Sequence, residues 1–213
     1  MKGRPDVLPE PRSRARRVQW WTCIGALLAV ATPLVGLLGH TTVRTADGAT
    51  RPALVYALFE LADTAVLIIA LVVRLRWLRL CRRNADLWAP GQATYSFGWV
   101  VGAWFTPLLM WWRPRRIVLD IIRASGGSDG TAADGIVRFV NTWWALRVSY
   151  SVASSCAIAL KGAMSTSTSL FVQLGLSVVG LAGLIYFVVL VGRIAALQEA
   201  RWEEHPTGQP VRA

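Results

Sequence analysis

Residues 77–125, WLRLCRRNADLWAPGQATYSFGWVVGAWFTPLLMWWRPRRIVLDIIRAS, decide how this chain is organised. Arginine clusters stand at both ends of this central stretch, and an aromatic, glycine-containing apolar run interrupted by Pro107 lies between them. The apolar run, residues 97–112, is short for a membrane-crossing helix, which needs about 20 residues. It therefore predicts a re-entrant or interfacial segment, kinked near Thr106, or alternatively a short fifth span.

The composition on either side of this stretch indicates an integral membrane protein. Of the 213 residues, 54% are hydrophobic and 16% are charged, and the apolar residues collect in blocks long enough to cross a bilayer. We predict an all-α, polytopic helical bundle forming one transmembrane domain. Its parts are a disordered basic tail at 1–17, a membrane domain at 18–192 with spans at about 18–39, 53–73, 136–160 and 170–192, and a tail at 193–213.

The basic residues predict the orientation of the bundle. They gather in the N-terminal tail, between residues 74 and 138, and after residue 192, while the other loops hold only Arg44, Arg51 and Lys161. Cytoplasmic loops carry the excess of Lys and Arg, so four spans with both termini in the cytoplasm of the plasma membrane fit best. Five spans would move the arginines of 113–138 outside.

The net charge of +11 does not indicate a nucleic-acid-binding protein. The basic residues flank apolar blocks rather than forming a basic face with interleaved aromatics. We predict no nucleic-acid partner, and we expect anionic lipids to contact the basic loops.

The end of the central stretch has the pattern of an amphipathic helix at 114–125. Ile117 and Ile121 lie towards one side of this helix, and Arg116 and Arg123 lie on another. Such a pattern is typical of a helix that lies on the membrane surface.

Three ionisable residues fall inside the predicted spans. Glu60 and Asp63 lie near the middle of the second span, and Arg147 lies about ten residues into the third. A charge at the bilayer centre costs about 2.5–3.5 kcal/mol on insertion scales, so these groups need partners. We hypothesise that Arg147 pairs with one or both acids. Alternatively, Arg147 reaches the interface and the acids are protonated.

Reactive constellations are missing from the sequence. It has no phosphate-binding loop, nucleophile elbow, zinc-binding helix motif or CxxC pair. His40 and His205 lie far apart, and Cys23, Cys81 and Cys156 have no metal-ligand spacing. We therefore predict no metal, no cofactor and no enzymatic activity.

The central stretch also carries a specific motif. It includes Arg82, Arg83, Asn84, Gly98, Trp99, Gly102, Trp104, Pro107, Pro114, Asp120 and Arg123. In order and spacing these residues resemble the domain of unknown function 4328 family, small membrane proteins found mostly in actinobacteria. The resemblance implies a multi-span membrane protein and implies no reaction.

Two kinds of function remain open from the sequence. The first is a non-enzymatic membrane protein that acts through protein partners, lipids or self-association, because small residues such as Gly180 and Gly183 form faces on which helices pack closely. The second is a small transporter or channel that uses Glu60, Asp63 and Arg147 as a polar site.

Overall fold

The fold is known from a computed structural model, which describes residues 11–37, 42–44, 50–52, 54–126 and 131–204. Six helices dominate this part of the chain, which confirms the prediction of an all-helical fold; a two-stranded hairpin lies between the first two predicted spans. The elements are α1 Pro11–Leu37, β1 Thr42–Arg44, β2 Thr50–Pro52, α2 Leu54–Trp88, α3 Trp99–Phe105, a 3-10 turn Leu109–Trp111, α4 Arg113–Ser125, α5 Thr131–Leu160, a 3-10 turn Lys161–Ala163 and α6 Thr166–Glu204. The strands β1 and β2 are antiparallel, with Val43 opposite Arg51.

Helices α1, α2, α5 and α6 form a bundle. Helix α1 packs along α2 and α6, and α5 packs along the other side of α6. With 35 and 39 residues, α2 and α6 are about 52 and 58 Å long at 1.5 Å per residue. Both exceed the roughly 30 Å of a bilayer's hydrocarbon core. Within the described chain, Phe171–Glu203 is the helical segment that is long and apolar enough to cross a membrane.

The buried core sits at one end of this bundle. It combines the beginning of α1 and α5, the end of α2 and α6, and most of α3 and α4. Its largest fully buried side chains include Ile117, Ile121, Ile122, Leu190 and Ile194. This core lies beyond the apolar halves of the long helices, so the central stretch closes one end of the bundle.

The long helices extend further than their predicted spans. Helix α1 begins at Pro11, and Ala15 is buried, so residues 11–17 are helix rather than disordered tail; residues 1–10 lie outside the described part. Helix α6 continues to Glu204 with Gln198 fully buried, so residues 193–204 are not a free tail. In both cases apolar side chains beyond the span find partners in the core.

Helix α4 confirms the amphipathic pattern and corrects its predicted location. Ile117, Ile121 and Ile122 are at most 1% exposed, because they pack against α2, α5 and α6. The apolar face therefore meets protein and not a membrane surface. An amphipathic pattern specifies an apolar surface without specifying what covers it.

Residues 97–112 break at the predicted position. Helix α3 ends at Phe105, Thr106 is extended with ψ 117°, and Leu108 has the positive φ of 65°. Pro107 lacks a donor and cannot continue a helix, so the chain turns here. With seven residues, α3 covers only about 10 Å along its axis.

A buried hydrogen-bond network connects α2, α4 and α6. Gln198 on α6 accepts from Asn84 on α2 at 3.1 Å and donates to the Cys81 carbonyl at 2.9 Å. The same amide nitrogen donates to Ser125 Oγ on α4 at 3.1 Å. Buried amides are costly unless paired, so the network fixes the register of α6 on α2 and α4.

We expect Gln198→Met to destabilise the protein in detergent. The substitution keeps the side-chain volume but leaves Asn84 and Ser125 without their buried partner, at a cost of about 2 kcal/mol. The thermal midpoint should fall by about 5 °C. Gln173→Met, at an exposed position of the same helix, is the control and should leave the midpoint unchanged. Equal midpoints for the two variants would contradict a stabilising role of the network.

Candidate functional site

The arginine cluster at the end of α2 holds the loop that follows it. Arg82 is 4% exposed; its Nε donates to Asp86 Oδ1 at 3.0 Å, and its Nη2 donates to the Tyr95 carbonyl at 3.1 Å. The same Nε also lies 3.1 Å from Asp86 Oδ2, so one charged N–H is shared between both carboxylate oxygens. Asn84 points into the buried network with Gln198, whereas Arg83 is exposed. These residues of the motif therefore fasten the chain after α2.

Aromatic contacts fasten the other half of the motif. The Arg113 guanidinium carbon lies 3.9 Å from the Trp99 ring centroid and 5.0 Å from that of Tyr95. Asp120 accepts from the Thr94 amide at 3.2 Å, and Arg123 Nη1 lies 3.9 Å from Asp120 Oδ1. Cations over aromatic faces stabilise such contacts by about 0.5–2 kcal/mol. The loop is thereby clamped between α2 and α4.

The glycines and prolines of the motif have structural positions. A Cβ atom on Gly102 would contact the Trp99 ring at 3.6 Å, and one on Gly98 would meet open space. Pro107 ends α3, and Pro114 is buried at the start of α4. Most of the motif therefore builds the closed end of the bundle. Trp104 differs, because it reaches a cleft between the long helices.

This cleft, of about 410 Å³, is the candidate site. Residues of α1, α2, α5 and α6 line it, and Trp104 and Val118 line its end towards the core. Most of the lining is apolar. Its charged residues are Asp63, Arg74 and Arg147.

The structure brings together two of the three predicted intramembrane charges. Asp63 and Arg147 both line the cleft, but Glu60 is exposed and lies outside the lining. The Arg147 guanidinium carbon lies 5.4 Å from the Trp104 ring centroid and 5.9 Å from that of Trp144. In the described part of the chain, Arg147 forms no ion pair with either acid. Arg147 and Asp63 therefore line the same cleft without forming a direct salt bridge.

Arg74 is the site residue that sequence reasoning missed. It stands one residue past the predicted second span, where it reads as one of several basic residues marking the cytoplasmic side. In the structure its Nη2 donates to Thr22 Oγ1 on α1 at 3.1 Å, and its guanidinium carbon lies 4.7 Å from the Phe187 ring centroid on α6. The sequence offered one indication of this contact, which is Thr22, a polar residue inside the first predicted span.

Several buried polar atoms of the cleft residues lack hydrogen-bond partners. The donors are Arg74 Nε, Trp77 Nε1 and Trp104 Nε1, and the acceptor is Asp63 Oδ1. Buried polar atoms are paired in the large majority of cases, so these four call for a partner even though unpaired buried atoms also occur outside the cleft, at Trp88 and Arg113 among others. Within residues 11–204 as described, no group of three His, Cys, Asp or Glu side chains could hold a metal ion.

Cys81, beside Arg82, is chemically shielded. Its side chain is fully buried, and burial raises the pKa of the thiol well above its usual range. The neutral thiol is the weak nucleophile, so the folded protein keeps Cys81 unreactive even at pH 9.

We expect Cys81 to resist iodoacetamide at pH 9 in the detergent-solubilised protein lacking Cys23 and Cys156. A matched variant with Arg83→Cys and Cys81→Ala places the thiol at an exposed position two residues away and should be alkylated readily. Mass spectrometry of the intact protein measures both rates. Equal rates would contradict the burial of Cys81.

Comparison with known proteins gives one match. Residues 40–198 match the family described as Domain of unknown function (DUF4328). No curated protein and no solved structure matches the chain. The matched range contains the central stretch, all three charged residues of the cleft and, at its last position, the buried Gln198. Because the match spans well over half of the sequence, the chain belongs to the DUF4328 family.

Proposed function

We propose that this protein crosses the plasma membrane four times, through α1, α2, α5 and α6, and that it acts by binding lipids or protein partners rather than by catalysis. Both termini and the closed end of the bundle lie on the cytoplasmic side in this proposal. The single observation that carries it is the distribution of exposed apolar side chains.

Large apolar side chains are exposed along one half of the long helices. Ile158 on α5 is 73% exposed, and Phe171 at the start of α6 is 75% exposed. Others in the same half are Leu58, Leu61, Leu67, Ile68, Val152, Leu160, Leu174 and Val178. Each such side chain gains about 1.5–3 kcal/mol on leaving water. A soluble surface does not normally carry a continuous apolar region of this extent, which supports contact with lipid.

Charge at the opposite half supports the orientation. Exposed arginines there include Arg76, Arg79, Arg83, Arg116, Arg123 and Arg138. They surround the closed end of the bundle, where the positive-inside rule expects the cytoplasm. The same residues can contact anionic lipid headgroups of the inner leaflet.

The geometry of residues 97–112 supports four spans over five. The end of α2 and the start of α5 share one buried core with α4. The chain between α2 and α5 therefore begins and ends on the same side of the proposed membrane. The turn after α3 carries the exposed side chains Phe105, Leu108 and Trp112. Exposed aromatic and aliphatic side chains next to arginines are typical of a segment at the membrane interface.

We expect cysteine labelling in intact cells to separate the two ends of the bundle. In a background with the native cysteines replaced by alanine, Asp134→Cys should be protected from an impermeant maleimide, and Ser165→Cys should be labelled. Both positions are exposed, so access is set by sidedness. The protein should also stay with the membrane after a carbonate wash.

Labelling of Asp134→Cys with protection of Ser165→Cys would contradict the orientation and favour a crossing by residues 97–112. Release of the protein by carbonate would contradict membrane integration altogether.

Transport is the second candidate function. It is favoured by Asp63 and Arg147 lining one cleft, with Asp63 Oδ1 buried and without a hydrogen-bond partner. Intramembrane ionisable residues that face a cavity are common in proton relays and substrate pathways.

If the protein conducts protons, reconstituted vesicles with a pH-sensitive dye inside should acidify faster than protein-free vesicles under a pH gradient. Asp63→Asn should abolish this increase because the amide cannot exchange a proton. Glu60→Gln, one turn away and outside the cleft, is the matched control and should retain it. Equal rates with and without the wild-type protein would contradict proton transport.

A further inference from the structure

We infer that the cleft holds the anionic headgroup of a membrane lipid, with Arg74 and Arg147 as its cationic contacts. The inference rests on the proposed membrane location and names the lipid class that the site recognises. The observations are the hydrogen-bond donors of the cleft, its charges, its opening and its volume.

The unpaired donors all belong to residues that line the cleft. Arg74 and Trp77 are three residues apart on α2, and neighbours at this spacing share a helix face. Trp104 contacts Arg147 across the cleft. The Nε of Arg74 and both indole N–H groups are buried without a partner. All three are donors, so the group that satisfies them must present several acceptor oxygens, as a phosphate or carboxylate does.

The charges favour an anion at the same position. A row of aromatic rings runs from one arginine to the other. Arg74 lies over Phe187, which packs 5.5 Å from Trp143. Trp143 packs 5.5 Å from Trp144, and Arg147 lies 5.9 Å from the Trp144 ring centroid. Asp63 stands eleven residues before Arg74 on α2, about 16 Å away along the helix axis. Within the described residues no ion pair joins Asp63 to Arg147. The acid therefore does not neutralise either arginine by direct contact. Two guanidinium groups in an apolar cleft attract an anion more strongly than they would in water.

The opening of the cleft faces the proposed lipid side. Leu67 on α2, Tyr150 on α5 and Leu181 on α6 line it, and they are 54%, 40% and 41% exposed. All three lie in the half of the bundle that carries the exposed apolar side chains. A ligand that enters here comes sideways from the bilayer, and its hydrocarbon chains can remain among apolar side chains such as Leu71 and Leu184.

The volume favours a lipid over a small ion. At about 410 Å³ the cleft falls within the range of sites that hold drug-sized molecules. A free phosphate would fill the donor cluster and leave the apolar part empty. A glycerophospholipid with a net negative charge supplies acceptor oxygens for the donors and apolar chains for the rest.

The test titrates short-chain phosphatidylglycerol, below its micelle concentration, into the full-length protein in a neutral detergent. Binding is followed by the thermal midpoint. We expect phosphatidylglycerol to raise the midpoint, and phosphatidylcholine and sodium phosphate to leave it unchanged. Arg147→Gln should weaken binding about tenfold or more, because a charge-assisted contact is lost. Arg76→Gln removes an exposed arginine outside the cleft, whose headgroup contacts stay in water, and is the matched control; its loss of affinity should be much smaller than that of Arg147→Gln.

Trp104→Phe gives an independent variant, because it keeps an aromatic ring at the end of the cleft and removes the indole N–H together with the five-membered ring. It should weaken phosphatidylglycerol binding severalfold, measured as the lipid-induced rise in midpoint relative to the variant's own lipid-free midpoint. The inference is overturned if phosphatidylcholine or sodium phosphate stabilises the protein as well as phosphatidylglycerol does. It is also overturned if both cleft variants bind with wild-type affinity. A protein that resists the carbonate wash yet shows no such preference contradicts this inference alone and leaves the membrane location intact.

Discussion

The burial of one amphipathic helix holds the rest of this structure in place. The apolar face of α4 packs against α2, α5 and α6, and Ile117, Ile121 and Ile122 are almost completely removed from solvent. Helix α4 follows the turn at Pro107. Because α4 packs in the same core as the end of α2, residues 97–112 stay at that end of the bundle. The Arg82, Arg113 and Asp120 contacts then clamp the loop after α2 onto this platform.

This arrangement divides the bundle into two halves with different surroundings. One half has a close-packed protein core with a buried amide network, as in a soluble domain. The other half exposes leucine, isoleucine and phenylalanine side chains. The helices are longer than a bilayer requires, and this excess length forms the protein core outside the proposed membrane region. The motif residues of the central stretch lie mainly in that core, so in this chain their pattern follows from packing more than from chemistry at a site.

The cleft occurs where the two halves meet. Residues of all four long helices line it. Small residues permit close helix contacts beside it: a Cβ atom on Gly25 of α1 would lie 3.7 Å from Val66 on α2, and one on Gly180 of α6 would lie 3.1 Å from Tyr150 on α5. The polar groups that remain unpaired in this region belong to Asp63, Arg74, Trp77 and Trp104. A low-dielectric location makes such groups costly unless a ligand pairs with them, which connects the packing of the helices to the proposed lipid site.

Local pattern by itself determined the helical class, the approximate positions of the four long helices, the break at Pro107 and the amphipathic character of α4. These features depend on periodicity, on the length of apolar blocks and on the backbone of proline, all of which are properties of neighbouring residues. Tertiary structure decided what covers each face. It placed α4 on protein rather than on a membrane surface, drew Ala15 and Gln198 out of predicted tails into the core, and joined Arg74 to the cleft through Thr22 and Phe187. These contacts join residues far apart in sequence, and no local pattern specifies which of several basic or apolar side chains will meet when the helices pack.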